Sequence, residues 1–104
     1  MFAGAAGAGT VAWVQGRLDA TLDATFDKTD NAVNQAITQL QFAKVSEKKD
    51  VLNAILIARS AEDKKINIKI VRVGDTISRV QIRVGLFGNE VQSLAILDKI
   101  KANL

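Results

Sequence analysis

Arg83-Val84-Gly85-Leu86-Phe87-Gly88-Asn89-Glu90 marks where the last strand stops and the last helix begins, and so anchors the fold. Before it, Val80, Ile82, Val84 and Leu86 alternate with Arg79, Gln81 and Arg83 over Ile77 to Leu86, the period-two signature of a half-buried strand. Two glycines interrupt that pattern. Asn89-Glu90 then reads as a helix start, a capping side chain followed by an acid that suits the positive end of the helix dipole. The closing helix is expected from Asn89 to Leu104, burying Val91, Leu94, Leu97, Ile100 and Leu104, with Lys99 and Lys101 complementing its negative end. Gly85 and Gly88 match neither the GxGxxG nor the GKS/T pattern, so the stretch reads as a tight turn whose Leu86 and Phe87 plug the core.

Working back, Lys65 to Val73 alternates cleanly, with Ile66, Ile68 and Ile70 inward and Asn67 and Lys69 outward. A two-residue Gly74-Asp75 loop would set Ile70 against Arg79 and Ile68 against Gln81, placing charge on the buried face. An odd-length loop, Gly74-Asp75-Thr76, or a bulge instead pairs Ile70 with Val80, Ile68 with Ile82 and Ile66 with Val84. A one-residue slip moves every side chain to the other face, so the second register is expected. The odd loop Ser60 to Lys64 agrees, since it pairs Ala58 with Ile66 and Leu56 with Ile68. That partner strand, Val51 to Arg59, is apolar on both parities, and a short strand, Phe42 to Glu47, precedes it.

The first strand runs on from Val14, with Gly16, Leu18, Ala20 and Leu22 opposite Arg17, Asp19, Thr21 and Asp23. Trp13 falls on its polar parity, which suits a cap on the sheet edge or a lipid interface. Asp27 and Asp30 open a helix, Asp27 to Gln41, whose Val33, Ala36, Ile37 and Leu40 recur at helical spacing; Phe26 closes its entry. Asn31, Asn34, Gln35 and Thr38 form its solvated face. The expected architecture is α+β: an antiparallel sheet of four to five strands, two helices packed on one face, in the order β-α-β-β-β-β-α. Residues 1–10 form a Gly/Ala-rich tail and residues 11–104 a single domain.

Composition narrows the chemistry. The chain has 104 residues, 48% hydrophobic and 24% charged, an ordinary make-up for one small domain. It holds no cysteine and no histidine, which excludes disulfides and thiolate metal sites and removes the usual general base and commonest metal ligand. No cofactor is implied. The net charge of +3 is uneven, −2 over residues 1–43 and +5 over the remainder, and a surplus of this size chiefly serves solubility. The apolar run Met1 to Val14 is too short to span a bilayer and lacks the basic region of a secretion signal.

Two surface groups stand out on the outward face. Arg59, Lys69, Arg79 and Arg83, with Arg72 a possible fifth, form a possible anion-binding face. Nucleic acid is disfavoured there, because Tyr is absent and Phe42 and Phe87 sit at element ends, leaving no stacking platform. Ile55, Ile57 and Val71 form an apolar cluster on the same face, suggesting a protein partner, a second copy, or cover from the first strand or the tail. Asp19, Asp23, Asp27 and Asp30 show no pairing that calls for acid–base work.

Three segments carry a resemblance: Gly16-Arg17-Leu18-Asp19-Ala20-Thr21, Ile82-Arg83-Val84-Gly85-Leu86-Phe87-Gly88-Asn89-Glu90, and Ile96-Leu97-Asp98-Lys99-Ile100. Over Ala3 to Leu104 the chain resembles a group of small bacterial proteins assigned as lipoproteins and catalogued as a domain of unknown function (family 3568). The resemblance implies a secreted precursor whose lipidated cysteine precedes a Gly/Ala-rich stretch, to which Gly4 to Gly9 is similar. It implies a membrane tether through the N-terminus and a place on the periplasmic side of the envelope if the natural precursor carries a signal, and the cytoplasm otherwise. It brings no catalytic or binding residues. The function expected is a non-enzymatic, envelope-associated interaction or structural module; the alternative is nucleic-acid or anionic-ligand binding through the basic face.

Overall fold

A computed structural model describes residues 10–104; the Gly/Ala tail expected over residues 1–10 lies almost wholly outside the described residues. The elements are β1 (Val11–Val14), β2 (Arg17–Leu22), α1 (Phe26–Gln39), β3 (Ala43–Lys49), β4 (Asn53–Arg59), β5 (Lys65–Arg72), β6 (Ser78–Val84) and α2 (Glu90–Ala102). The strands make one antiparallel sheet in the order β1-β2-β6-β5-β4-β3. The fold is α+β as expected, with six strands rather than four to five.

Alternation sets the register as the aliphatic pattern requires. Ile70 faces Val80, Ile68 faces Ile82 and Ile66 faces Val84, while Ala58 faces Ile66 and Leu56 faces Ile68. These residues, with Leu18, Ala20 and Leu22 of β2, are at most 2% exposed and form the sheet's half of the core. Phe26, Val33, Ala36 and Ile37 of α1 and Ile96, Leu97 and Ile100 of α2 close over them. Each of the Val, Leu, Ile and Phe side chains among them contributes about 1.5–3 kcal/mol by leaving water. The hydroxyls of Thr29 in α1 and Ser78 in β6, both fully buried, hydrogen-bond each other at 2.6 Å and so enter the core satisfied.

The sixth strand comes from a turn hidden in the first alternating run. Gln15 and Gly16 have φ of 53° and 83°, the two successive positive values that a tight two-residue hairpin demands. The run therefore folds back: Val14 pairs with Arg17 and Trp13 with Leu18. Trp13 thus lies on the helix-side parity, not the polar one, although it does stand on an edge strand and is 36% exposed.

Helix α1 starts one residue earlier than its acids suggest, at Phe26. Thr25 is the cap, its Oγ1 accepting from the Lys28 N–H at 3.1 Å. It stops before Gln41, which adopts φ 61° while the Phe42 N–H donates to Ile37 O and the Gln41 N–H to Thr38 O. That is a Schellman ending, and Phe42 packs against the core as its apolar contact. Helix α2 starts after Asn89, whose Oδ1 accepts from the Gln92 N–H at 2.9 Å.

The buried stripe of α2 is Ser93, Ile96, Leu97 and Ile100: Leu97 and Ile100 lie inward as expected, and Val91, Leu94 and Leu104 do not. Val91 is 79% exposed, and Leu94 and Leu104 are exposed as well. At 100° per residue Val91 lies about 160° around the helix from Ser93, so the two cannot share a face. The small Ser93 takes the inward position at the helix start.

Candidate functional site

Two turns meet at one end of the sheet. The Gln15-Gly16 turn joins β1 to β2, and Gly85 to Gly88 joins β6 to α2. Arg83, the outward residue one place before the end of β6, ties them together. Its Nη2 donates to the carbonyl oxygen of Gln15 at 2.9 Å and its Nη1 to that of Leu86 at 3.3 Å. The turns touch through their backbones. A Cβ added to Gly16 would lie 2.9 Å from Phe87 O, and one added to Gly88 would overlap the Gly16 carbonyl. With φ of 83° and 86°, both positions are ones that glycine alone fills without strain.

This junction overturns one expectation. Leu86 and Phe87 do not plug the core; they are 80% and 86% exposed. The backbone contact of Gly88 with Gly16 fixes the course of the turn, and its two large side chains stand outside the core cluster that includes Val84 and Ile96. Exposed Val91 adds apolar surface at the same end. The result is an apolar tip on a turn fixed by hydrogen bonds.

The face away from the helices carries the residues singled out by alternation. Ile55 opposes Lys69, Ile57 opposes Asn67, and Val71 sits between Asn53 and Arg79, diagonal to Ile55. The three are brought together there, with Ile55 37% exposed and Ile57 and Val71 half-buried. Arg59, Lys69, Arg79 and Arg83 share the face but do not converge. Arg59 Nη1 donates to Asp63 O at 3.0 Å and pairs with its carboxylate at 3.6 Å, and Arg79 Nε lies 3.5 Å from Asp19 Oδ1. Lys69 has no ion pair or hydrogen bond among the described residues. Arg72 is on the other side. Its Nε donates to Val51 O at 2.8 Å and its guanidinium lies 4.8 Å from the centre of the Phe26 ring.

Alternation put Arg17 on a polar parity without marking it as a partner of Arg83. A pocket of about 170 Å³ on the outward face is lined by Arg17, Asn67, Gln81 and Arg83. Asn67 and Arg83 also line an adjoining cleft of about 460 Å³, with Lys64, Lys65, Asp63, Gly85 and Leu86. Only Arg83 of the four cations singled out from the sequence lines either hollow.

A second polar group joins α1 to β3. Lys49 Nζ lies 2.9 Å from Asp30 Oδ2 and 3.8 Å from Asp27 Oδ1; Lys44 Nζ donates to Asn34 Oδ1 at 2.9 Å and pairs with Glu47. The Lys44 hydrogen bond holds the Glu47 carboxyl below its ordinary value, and the hydrogen bond to Asp30 raises the Lys49 ammonium above its own. Asp30 and Asn34 are therefore docking groups rather than a plain cap and a solvated face. The Asp50 carboxylate is likewise held low by the N–H groups of Leu52 and Asn53, each 2.8 Å away. Asp30 thus ties α1 to β3, while Glu47 is engaged within β3 and Asp50 in the turn that follows it.

No helix among the described residues is long and apolar enough to cross a membrane. A family model described as "Protein of unknown function (DUF3568)" matches residues 1–103. No curated protein matches the chain.

Proposed function

We propose that this chain, which belongs to the family of proteins of unknown function DUF3568, is a non-enzymatic contact module of the bacterial cell envelope. It is tethered through its N-terminus and works by inserting the Leu86–Phe87 tip into an apolar pocket of a protein partner. The observation that carries this reading is the exposure of two large apolar side chains, 80% and 86%, on a turn that Arg83 and the Gly16–Gly88 contact hold in place. Large apolar groups fixed outside a core lose little entropy on docking, which is what makes them anchors in interfaces. The contact-module reading also suits a chain without histidine or cysteine.

The tether is supported by the Gly/Ala stretch at residues 3–9 and by the course of β1. Thr10 O accepts from the Thr21 N–H at 2.8 Å, at the end of β2 remote from the Gln15-Gly16 turn. Strand β1 therefore leads from the tail toward the tip over roughly 13 Å, at about 3.3 Å per residue. A lipid anchor ahead of the tail would hold the tip away from the bilayer. Ile55, Ile57 and Val71, less exposed than the tip, are a secondary contact surface in this reading.

Photo-cross-linking in the host cell tests the proposal, with the reactive side chain placed at Phe87, at Leu86 and, as a control, at Asp98 on exposed α2. The same partner protein is expected from the first two positions and not from the third. Labelling equally strong from Asp98, or unaffected by Leu86→Ser together with Val91→Ser when probed from Phe87, would contradict it.

A further inference from the structure

The pocket between β2, β6 and β5 gathers positive charge that none of the described residues lining it neutralises. Leu18 pairs with Ile82, so Arg17, just before the one, and Arg83, just after the other, stand opposite on the outward face. Like charges facing across two strands destabilise a sheet. Both arginines nonetheless line the same 170 Å³ hollow, with Asn67 and Gln81 completing its wall and no carboxylate in it. Arg17 Nε is buried and has no hydrogen-bond partner among the described residues. Asn67 makes no side-chain hydrogen bond there either. Arg83 donates to the carbonyls of Gln15 and Leu86, neutral acceptors that orient the guanidinium without cancelling its charge.

Neighbouring acids are engaged elsewhere. Asp19, two residues on from Arg17 along the same face, is taken by Arg79 at 3.5 Å and by Gln81 Nε2 at 3.4 Å. Asp63, in the adjoining cleft, pairs with Arg59 at 3.6 Å, while Lys64 and Lys65 line the same cleft. The surplus calls for an anion with more than one charge. Arginine forks match the oxygens of phosphate in both spacing and plane.

We infer that Arg17, Arg83 and Asn67 form a binding pocket for a phosphate monoester, with Lys65 at its mouth and the body of the ligand lying along the cleft toward Leu86. The pocket adjoins the Leu86–Phe87 tip through Arg83 and the cleft, and its phosphate site does not depend on the tip having a partner.

Titration of the folded protein at constant ionic strength tests the inference, reading the arginine Nε–H and the Asn67 and Gln81 side-chain signals by NMR. Inorganic phosphate and glycerol 3-phosphate serve as soluble probes, acetate as the singly charged one. A saturable shift centred on Arg17 Nε–H is expected, with acetate binding more weakly than either phosphate. Arg17→Gln should weaken phosphate about tenfold, the scale of one lost charge-assisted hydrogen bond. Lys69→Gln removes the same charge beside the pocket, opposite Gln81, and should weaken phosphate binding several-fold less than Arg17→Gln does. Asn67→Asp places a carboxylate inside the pocket and should abolish binding in a protein that still folds, which keeps the test open if Arg17→Gln does not fold. Phosphatidic acid vesicles, run in parallel, separate the sources: Arg17-dependent binding to vesicles alone would keep the pocket and put its phosphate on a lipid. No saturable shift with any probe, or equal losses from Arg17→Gln and Lys69→Gln, would overturn the inference.

Discussion

Arg83 donates to the carbonyl oxygen of Gln15 at 2.9 Å, across 68 residues of chain, and through its other terminal nitrogen to Leu86 at 3.3 Å. One side chain thereby fastens the first hairpin to the turn that opens the last helix. Replacing it with Ala removes hydrogen bonds from a charged donor and should cost about 1–3 kcal/mol in urea unfolding. Amide exchange at Leu86 to Gly88 should accelerate more than exchange in the centre of β5. Uniform acceleration across the domain would show that Arg83 adds general stability without pinning the tip.

Gly88→Ala should be far more damaging than its size suggests. The new methyl would meet the Gly16 carbonyl at a backbone angle of φ 86°, so the two turns must separate. A loss of about 3 kcal/mol or more is expected from combined clash and strain. Gly74→Ala, where an added Cβ meets nothing within 4 Å, should stay within about 0.5 kcal/mol. Thermal melts of the two variants make the comparison.

The inward stripe of α2 is tested by opposite substitutions. Ile96→Ala empties core space and should cost about 2–5 kcal/mol. Val91→Ser, on a side chain 79% exposed, should change stability by about 0.5 kcal/mol or less. The reverse order of effects would restore the helix face that hydrophobicity alone suggests.

Acid and alkali should act on the α1–β3 contact with opposite signs. Glu47 is held below its ordinary 4.5 by the Lys44 hydrogen bond, so its contribution is complete above that pH and is lost as pH falls through the depressed value. Lys49 is raised above 10.5 by Asp30, so its contribution is present below that pH and is lost as pH rises through the elevated value. Urea midpoints of the parent should decline on both limbs. Glu47→Gln should make only the acid limb shallower, leaving the part due to Asp50, and Lys49→Met only the alkaline one.

What the sequence revealed follows from how local each signal is. The pairing of Ile68 with Ile82 was legible because any slip buries Lys69 or Arg79, a cost no turn preference can offset. The Gln15-Gly16 turn was hidden because a two-residue hairpin leaves polar and apolar residues alternating on both sides of it. Hydrophobicity assigned Val91, Leu86 and Phe87 to the core, whereas helix phase decides the exposure of Val91 and the Gly16–Gly88 contact fixes the course of the turn, and that contact joins segments far apart in the chain. The outward positions of Arg59, Lys69, Arg79 and Arg83 were readable from parity. The meeting of Arg17 with Arg83 was not, since it depends on β2 lying beside β6.

Docking through the tip requires Leu86 and Phe87 to stand rigidly outside the core. Solvent paramagnetic relaxation of the Phe87 ring, recorded with backbone ¹⁵N relaxation at residues 85–88, measures this directly. A ring as accessible as a surface side chain, on amides as ordered as those of β6, is the predicted result. A ring shielded from the probe, or amides as loose as a free chain end, would contradict it.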